Sequence, residues 1–215
     1  MVKKEKIVLP KKDKKTGEQM VSYSQLSCWK DSFRDYVRRY FFTEKFEGNG
    51  WTEFGNKVGT ALENNDFSAF SKFEQTTLKK VTRYDDFERR IEWHFEEFFV
   101  LGFIDTSKTI PTSIGDYKTG DPDKVTEKYE DKDYIQLEIY SGALQQETGV
   151  LPEEAHVFII ERTGNPYKGD KLLVGKRIVV VTRDISQERI DEVKEIVEKI
   201  VEEISDYYKV FLKLP

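Results

Sequence analysis

The stretch GFIDTSKTIPTSIGDYKTG, residues 102 to 120, sets one aspartate at the end of an apolar run and, past a turn, a second aspartate in a D-x-K triplet. The run Phe98 to Ile104 reads as a buried strand closed by Asp105. A polar turn with Pro111 follows, and Ser113 to Lys118 reads as a second strand. Side chains two apart on a strand share a face, so Asp116 and Lys118 project together while Tyr117 points away. Pairing the strands as a hairpin would bring Asp105 beside Asp116. Two converging carboxylates suit a hard cation, because magnesium is usually held by one or two carboxylates with water and substrate phosphate completing its shell. An ammonium beside them can orient an attacking water and stabilise charge building at phosphorus. The expected chemistry is metal-assisted hydrolysis of a phosphate ester.

The order G-x-x-D (Gly102, Asp105), D-Y-K-T-G (Asp116, Tyr117, Lys118, Thr119, Gly120) and Q-L-x-x-Y (Gln136, Leu137, Tyr140) resembles the PD-(D/E)XK nuclease superfamily. The resemblance is to the RecB-like branch, which includes phage exonucleases and CRISPR-associated adaptation nucleases, and it spans roughly residues 20 to 210. A lone D-x-K is weak; three ordered motifs are a stronger signal. The resemblance implies that Asp105 and Asp116 bind the metal, that the Tyr117 carbonyl adds a ligand, and that Lys118 assists the attacking water. It further implies that Gln136 and Tyr140, one helical turn apart, contact DNA or order the catalytic lysine. A core helix that simply packs Tyr140 is the plainer alternative.

Members of this branch usually carry an upstream G-x-x-x-H or G-x-x-x-E on a helix, and FGNKVGTALE, residues 54 to 63, aligns with it in two ways. Counting from Gly59 puts Glu63 in the ligand position; counting from Gly55 puts Gly59 there and removes a ligand. Glu63 is favoured, since magnesium prefers oxygen. Relatives with iron–sulfur clusters use four cysteines, and Cys28 is the only one here, so the cluster-free phage exonuclease type fits better. The implied function is a magnesium-dependent deoxyribonuclease, with manganese able to substitute, that acts as an exonuclease on DNA ends in phage or recombination-linked DNA metabolism. DNA is the implied partner, with room for a recombination or replication protein. An inactive DNA-binding or assembly protein on the same fold, or a structure-specific endonuclease, stands as the alternative.

The elements that must position these residues follow from periodicity. From Ser22, apolar residues fall at helical spacing through Leu26, Trp29, Phe33, Tyr36, Val37 and Tyr40. A second helix starts near Thr52 and runs through Val58 and Leu62, with Asn64 to Asp66 as a possible break. Tyr134 to Gln146 returns to helical spacing, and His156 to Glu161 and Arg177 to Thr182 read as strands. Ser186 caps a last helix, whose stripe of Ile190, Val193, Val197, Ile200, Ile204 and Tyr208 packs on the sheet or forms a dimerising seam. The fold class is α/β: a restriction-endonuclease-like core with a mixed central sheet flanked by helices and an N-terminal helical portion arching over the site.

Residues 1 to 20 carry seven lysines (Lys3, Lys4, Lys6, Lys11, Lys12, Lys14 and Lys15) and read as a loosely ordered basic arm, either solvated or touching DNA; residues 21 to 215 form the nuclease domain. The 215 residues are enough for one domain with a substantial core. No apolar run reaches the roughly 20 residues of a membrane span, and a secretory leader is not expected, so the expected location is the cytoplasm, that of the host if the chain is phage-encoded. The lone cysteine excludes internal disulfides and cysteine zinc sites. The net charge of -5 means that DNA contact must come from a local basic surface. Gly175 to Arg177 lack a phosphate-loop frame, and His94 and His156 read as packing residues. Arg162, Lys168 and Lys171 could approach a phosphate backbone, and Tyr23, Trp29 and Trp51 could stack on unpaired bases, against the commoner readings of exposed loop and core.

Overall fold

The computed structural model describes residues 6–109 and 112–214; Lys3, Lys4 and Pro111 of the readings above lie outside them. In chain order the elements are β1 (Gln19–Ser22), α1 (Tyr23–Asp31), α2 (Phe33–Tyr36), a π-helical turn (Val37–Phe41), α3 (Gly50–Asn64) and α4 (Lys72–Leu78). Then come β2 (Asp86–His94), β3 (Phe98–Thr109), β4 (Thr112–Gly120), α5 (Pro122–Glu130), α6 (Gln136–Thr148), β5 (Glu154–Thr163), β6 (Leu173–Thr182) and α7 (Gln187–Phe211). Among the described residues six strands make one mixed sheet in the order β1-β3-β4-β5-β6, with β2 also on β3.

Local chemistry explains the boundaries. Ser22 opens α1 through a capping box with Gln25. The long helix expected from Leu26 to Tyr40 is broken at Ser32, whose backbone is extended and whose hydroxyl accepts from the Asp35 amide. Asn49 caps α3 by accepting from Thr52, and Asn65 ends it in the left-handed region at φ 52°, which places the expected break at Asn64 to Asp66. Ser186 caps α7 as expected.

Strand alternation sends side chains to two cores. On β5, Val157 and Ile159 face a core shared with α1, α6 and α7, whereas Phe158 and Ile160 face a second core with Phe54, Val58 and Leu62 of α3 and Leu78 of α4. Helices thus cover both faces of a mixed sheet, the architecture of a restriction-endonuclease-like core. The apolar stripe of α7 is buried within the chain, and its main neighbours are α6 and α1 rather than the sheet. In the stretch read as a loose arm, Ile7 and Leu9 are buried in the larger core, the Val8 amide donates to Ser205 Oγ of α7, and Gln19–Ser22 enter the sheet as β1. No helix among the described residues is long and apolar enough to cross a membrane.

The site is positioned by a fork in the sheet. β2 runs antiparallel along one edge of β3. The other edge is divided: β1 pairs in parallel along Phe98 to Leu101, and β4 pairs antiparallel along Thr106 to Thr109. Gly102 to Asp105 have no ladder partner from either strand on that edge.

Candidate active site

β3 does not end at Asp105 as the sequence suggested; it continues to Thr109 but is irregular at that residue. β2 and β3 pair on both sides, Phe87 with Thr106 and Arg89 with Ile104, yet the ladder skips Glu88 and Asp105. Glu88 adopts φ 49°, a left-handed conformation that costs a side-chain-bearing residue roughly 1–2 kcal/mol. Ile104 belongs to the larger core, while Thr106, two residues on, accepts from the Tyr84 amide, and Tyr84 packs against the second core. The strict alternation of a flat strand is therefore lost at Asp105, whose Oδ2 accepts from the Tyr117 amide of β4 at 2.7 Å.

On β4 the spacing argument holds. Asp116 is fully buried, and Lys118 Nζ stands 2.8 Å from its Oδ1 and 2.6 Å from its Oδ2. Tyr117 points the other way and donates through its hydroxyl to the Thr82 carbonyl. Gln136 Nε2 donates to Asp116 Oδ1 at 2.9 Å and to Tyr140 Oη at 2.8 Å. Tyr134 Oη donates to Asp116 Oδ2 at 3.2 Å and approaches Gln136 Oε1 at 3.1 Å. Gln136 and Tyr140 are both buried, and what they hold is Asp116.

Electrostatics tie the group together. Burial pushes the Asp105 carboxyl up to about 7; the Asp116 charge adds to this and Glu88 contributes, against the opposing pull of Lys118 and the Tyr117 amide. Burial opposes the charge on Lys118, but Asp116 and Asp105 outweigh it and hold the ammonium above its ordinary range. Burial and then Glu63 raise Glu88. The carboxylates of Glu63, Glu88 and Asp105 thus form a chain of mutual repulsion along one wall.

That wall belongs to a cleft of about 970 Å³ whose lining includes Gly59, Glu63, Glu88, Asp105 and Lys118. Glu63 is exposed on the last turn of α3, so both alignments of the upstream motif, through Glu63 or Gly59, put the residue on the cleft wall. Sequence reasoning missed Glu88 and Tyr134. Glu88 carried no visible signal, because its role depends on a ladder break; Tyr134 stood two residues before Gln136 and was read only as part of a helix. His94 and His156 lie outside this cleft, paired with Glu92 and Glu154 respectively.

No family model and no curated protein matches the sequence. Among solved structures, the chain is similar to a presumed exonuclease from Eubacterium rectale, with a TM-score of 0.56 at 13% identity, covering 88% of this chain and 82% of that one. A second structure, that of SSO0001, aligns with a TM-score of 0.43 at 12% identity over 83% of this chain and 74% of the other. The first likeness shows a shared fold over most of both chains.

No group of three or more histidine, cysteine or acidic side chains among the described residues converges closely enough to hold a metal by itself. Such a cage is not required by magnesium, which completes its shell with water and phosphate oxygens. The candidate donors, Asp105 and Asp116 with the Tyr117 carbonyl directly after Asp116 in sequence, are all oxygens. The negative charge of Asp105, Asp116, Glu88 and Glu63 exceeds what Lys118 offsets, and that excess suits a hard cation.

Proposed function

We propose that this chain is a metal-dependent DNA nuclease of the RecB-like PD-(D/E)XK kind, without an iron–sulfur cluster, that works from DNA ends. The carrying observation is the joining of Asp105, Asp116 and Lys118 at the fork of the sheet, where Asp105 and Lys118 line an open cleft and Asp116 is buried behind them. Asp105, Asp116 and the Tyr117 carbonyl would hold magnesium or manganese, with Glu63 or Glu88 able to add an oxygen. When bound, the cation supplies Lewis acidity that favours hydroxide over water and offsets charge at phosphorus.

The chain's own groups have separable parts. Lys118 stays protonated, so it serves as a hydrogen-bond donor and positive charge toward the attacking water or a phosphate oxygen rather than as a base. Tyr134 and Gln136 fix the Asp116 carboxylate, and Tyr140 fixes Gln136. Of the two roles the resemblance implied for Gln136 and Tyr140, burial and these bonds favour ordering the site over touching DNA. End processing in phage or recombination-linked DNA metabolism, in the cytoplasm and with a recombination or replication partner, is the setting that suits such an activity.

The test compares linear duplex, single-stranded and closed circular DNA in magnesium. An end-dependent nuclease degrades the linear forms and spares the circle, whereas nicking of the circle indicates an endonuclease. A protein inert on all three with both magnesium and manganese overturns the nuclease reading in favour of a DNA-binding protein on this fold.

A further inference from the structure

The cleft that exposes Asp105 and Lys118 continues to a wall made by Trp51 at the start of α3 and Arg162 near the end of β5. Of the three tryptophans, Trp29 and Trp93 are in the larger core with 9% and 4% exposure; Trp51 alone is half-buried on a cleft. Its ring meets Tyr167 edge-on at 4.9 Å, and Tyr167 is 73% exposed. The Arg162 guanidinium lies 5.4 Å from the Trp51 ring centre. Burial lowers the Arg162 pKa, and no carboxylate among the described residues pairs with it. A partly buried guanidinium without an anion, beside an accessible indole, is complementary to a nucleotide: Arg binds phosphate through its fork of donors, and every base offers a face to an aromatic ring. The two sides of the wall approach closely at Gly50, where a Cβ would stand 3.2 Å from Pro166 Cβ in the loop between β5 and β6.

We propose that Trp51, Arg162 and Tyr167 form a subsite for an unpaired DNA base, which stacks on the Trp51 indole while Arg162 takes an adjoining phosphate. The cleft therefore selects a single-stranded segment next to the bond to be cut. The location of that bond rests on the nuclease reading above, but binding at the subsite does not.

The experiment titrates full-length protein with a single-stranded oligo-dT and a blunt duplex of equal length, without a divalent cation, and follows tryptophan emission. Oligo-dT should quench emission, and Trp51→Phe should lose the quench while binding more tightly than Trp51→Ala. Trp51→Ala should weaken binding roughly tenfold or more, in keeping with the worth of a stacked base. Arg162→Gln should weaken binding and flatten its salt dependence by about 0.7 in slope. Tyr167→Ala, at an exposed position, guards against misfolding and should also weaken binding; circular dichroism checks each variant. Unchanged emission with wild-type affinity in Trp51→Ala, or equal affinity for the blunt duplex, overturns the proposal. Quenching by a protein that never cleaves DNA would defeat the nuclease reading and leave this subsite standing, whereas cleavage without quenching would defeat the subsite alone.

Discussion

A buried carboxylate held near like charges keeps its proton to higher pH, and Asp105 shows the consequence. With its carboxyl raised to about 7 from about 3.9 in an unfolded chain, the folded state keeps a proton that the unfolded state has lost between those values. Stability from this group is therefore greatest below about pH 4 and falls as pH rises to about 7, by at most about 1.4 kcal/mol per unit. Urea unfolding of chelated protein from pH 4 to 8 should show this slope in the wild type and lose it in Asp105→Asn; equal slopes would refute it. Glu88 supports a companion prediction. Its left-handed backbone favours glycine, so Glu88→Gly should stabilise the fold by roughly 1 kcal/mol and yet weaken manganese binding, a pairing of effects that thermal melts and calorimetry together detect. The shared face of Asp116 and Lys118 was legible because a spacing of two on a strand is a local property. Glu88 was hidden because its position depends on a break between two strands distant in sequence.

At the scale of elements, α6 keeps Asp116 in place through Gln136, which Tyr140 holds in turn. Gly102 of β3 lies against Tyr140: a Cβ there would stand 2.5 Å from Tyr140 Cε1 and 2.8 Å from Ile91 Cδ1. Gly102→Ala should therefore destabilise the fold by about 1–3 kcal/mol. By moving Tyr140 and then Gln136, it should also depress cleavage more than Tyr140→Phe does. Melting curves and rates of the two variants check this, and a Gly102→Ala protein as stable and active as wild type would contradict it. Periodicity revealed α3, α6, α7 and the strands β3 to β6. It missed β2, where only Ile91 and Trp93 face the core and charged residues fill the positions just before them, and it ran α1 into α2 because the capping hydroxyl of Ser32 sits within an apolar rhythm. The neighbours of α7 were not legible either, since a stripe specifies that a face is buried but not against what.

For the molecule as a whole, a net charge of -5 means that the proposed DNA substrate would be held by a few placed cations rather than a broad basic surface. Two such cations, Arg162 and Lys128, line the cleft beyond Lys118. If these two carry the phosphate contacts, the logarithm of affinity for single strands should fall with the logarithm of salt at a slope of about −1.4, and a much steeper slope would bring the N-terminal lysines into the interface. Asp105, Asp116 and Lys118 are proposed to form a hydrolytic centre. Because replacing Asp116 by alanine would leave the part-buried Lys118 and the buried Gln136 facing an empty site, Asp116→Asn, which can keep bonds to Tyr134 and Gln136, is the cleaner variant. The deciding measurement is the single-turnover cleavage rate of end-labelled linear DNA in magnesium, for the wild type and for Asp116→Asn with a matched melting temperature. The expected result is cleavage by the wild type and a loss of at least about a hundredfold in the variant. Near-equal rates, or a wild type inert with magnesium and manganese alike, would contradict the assignment.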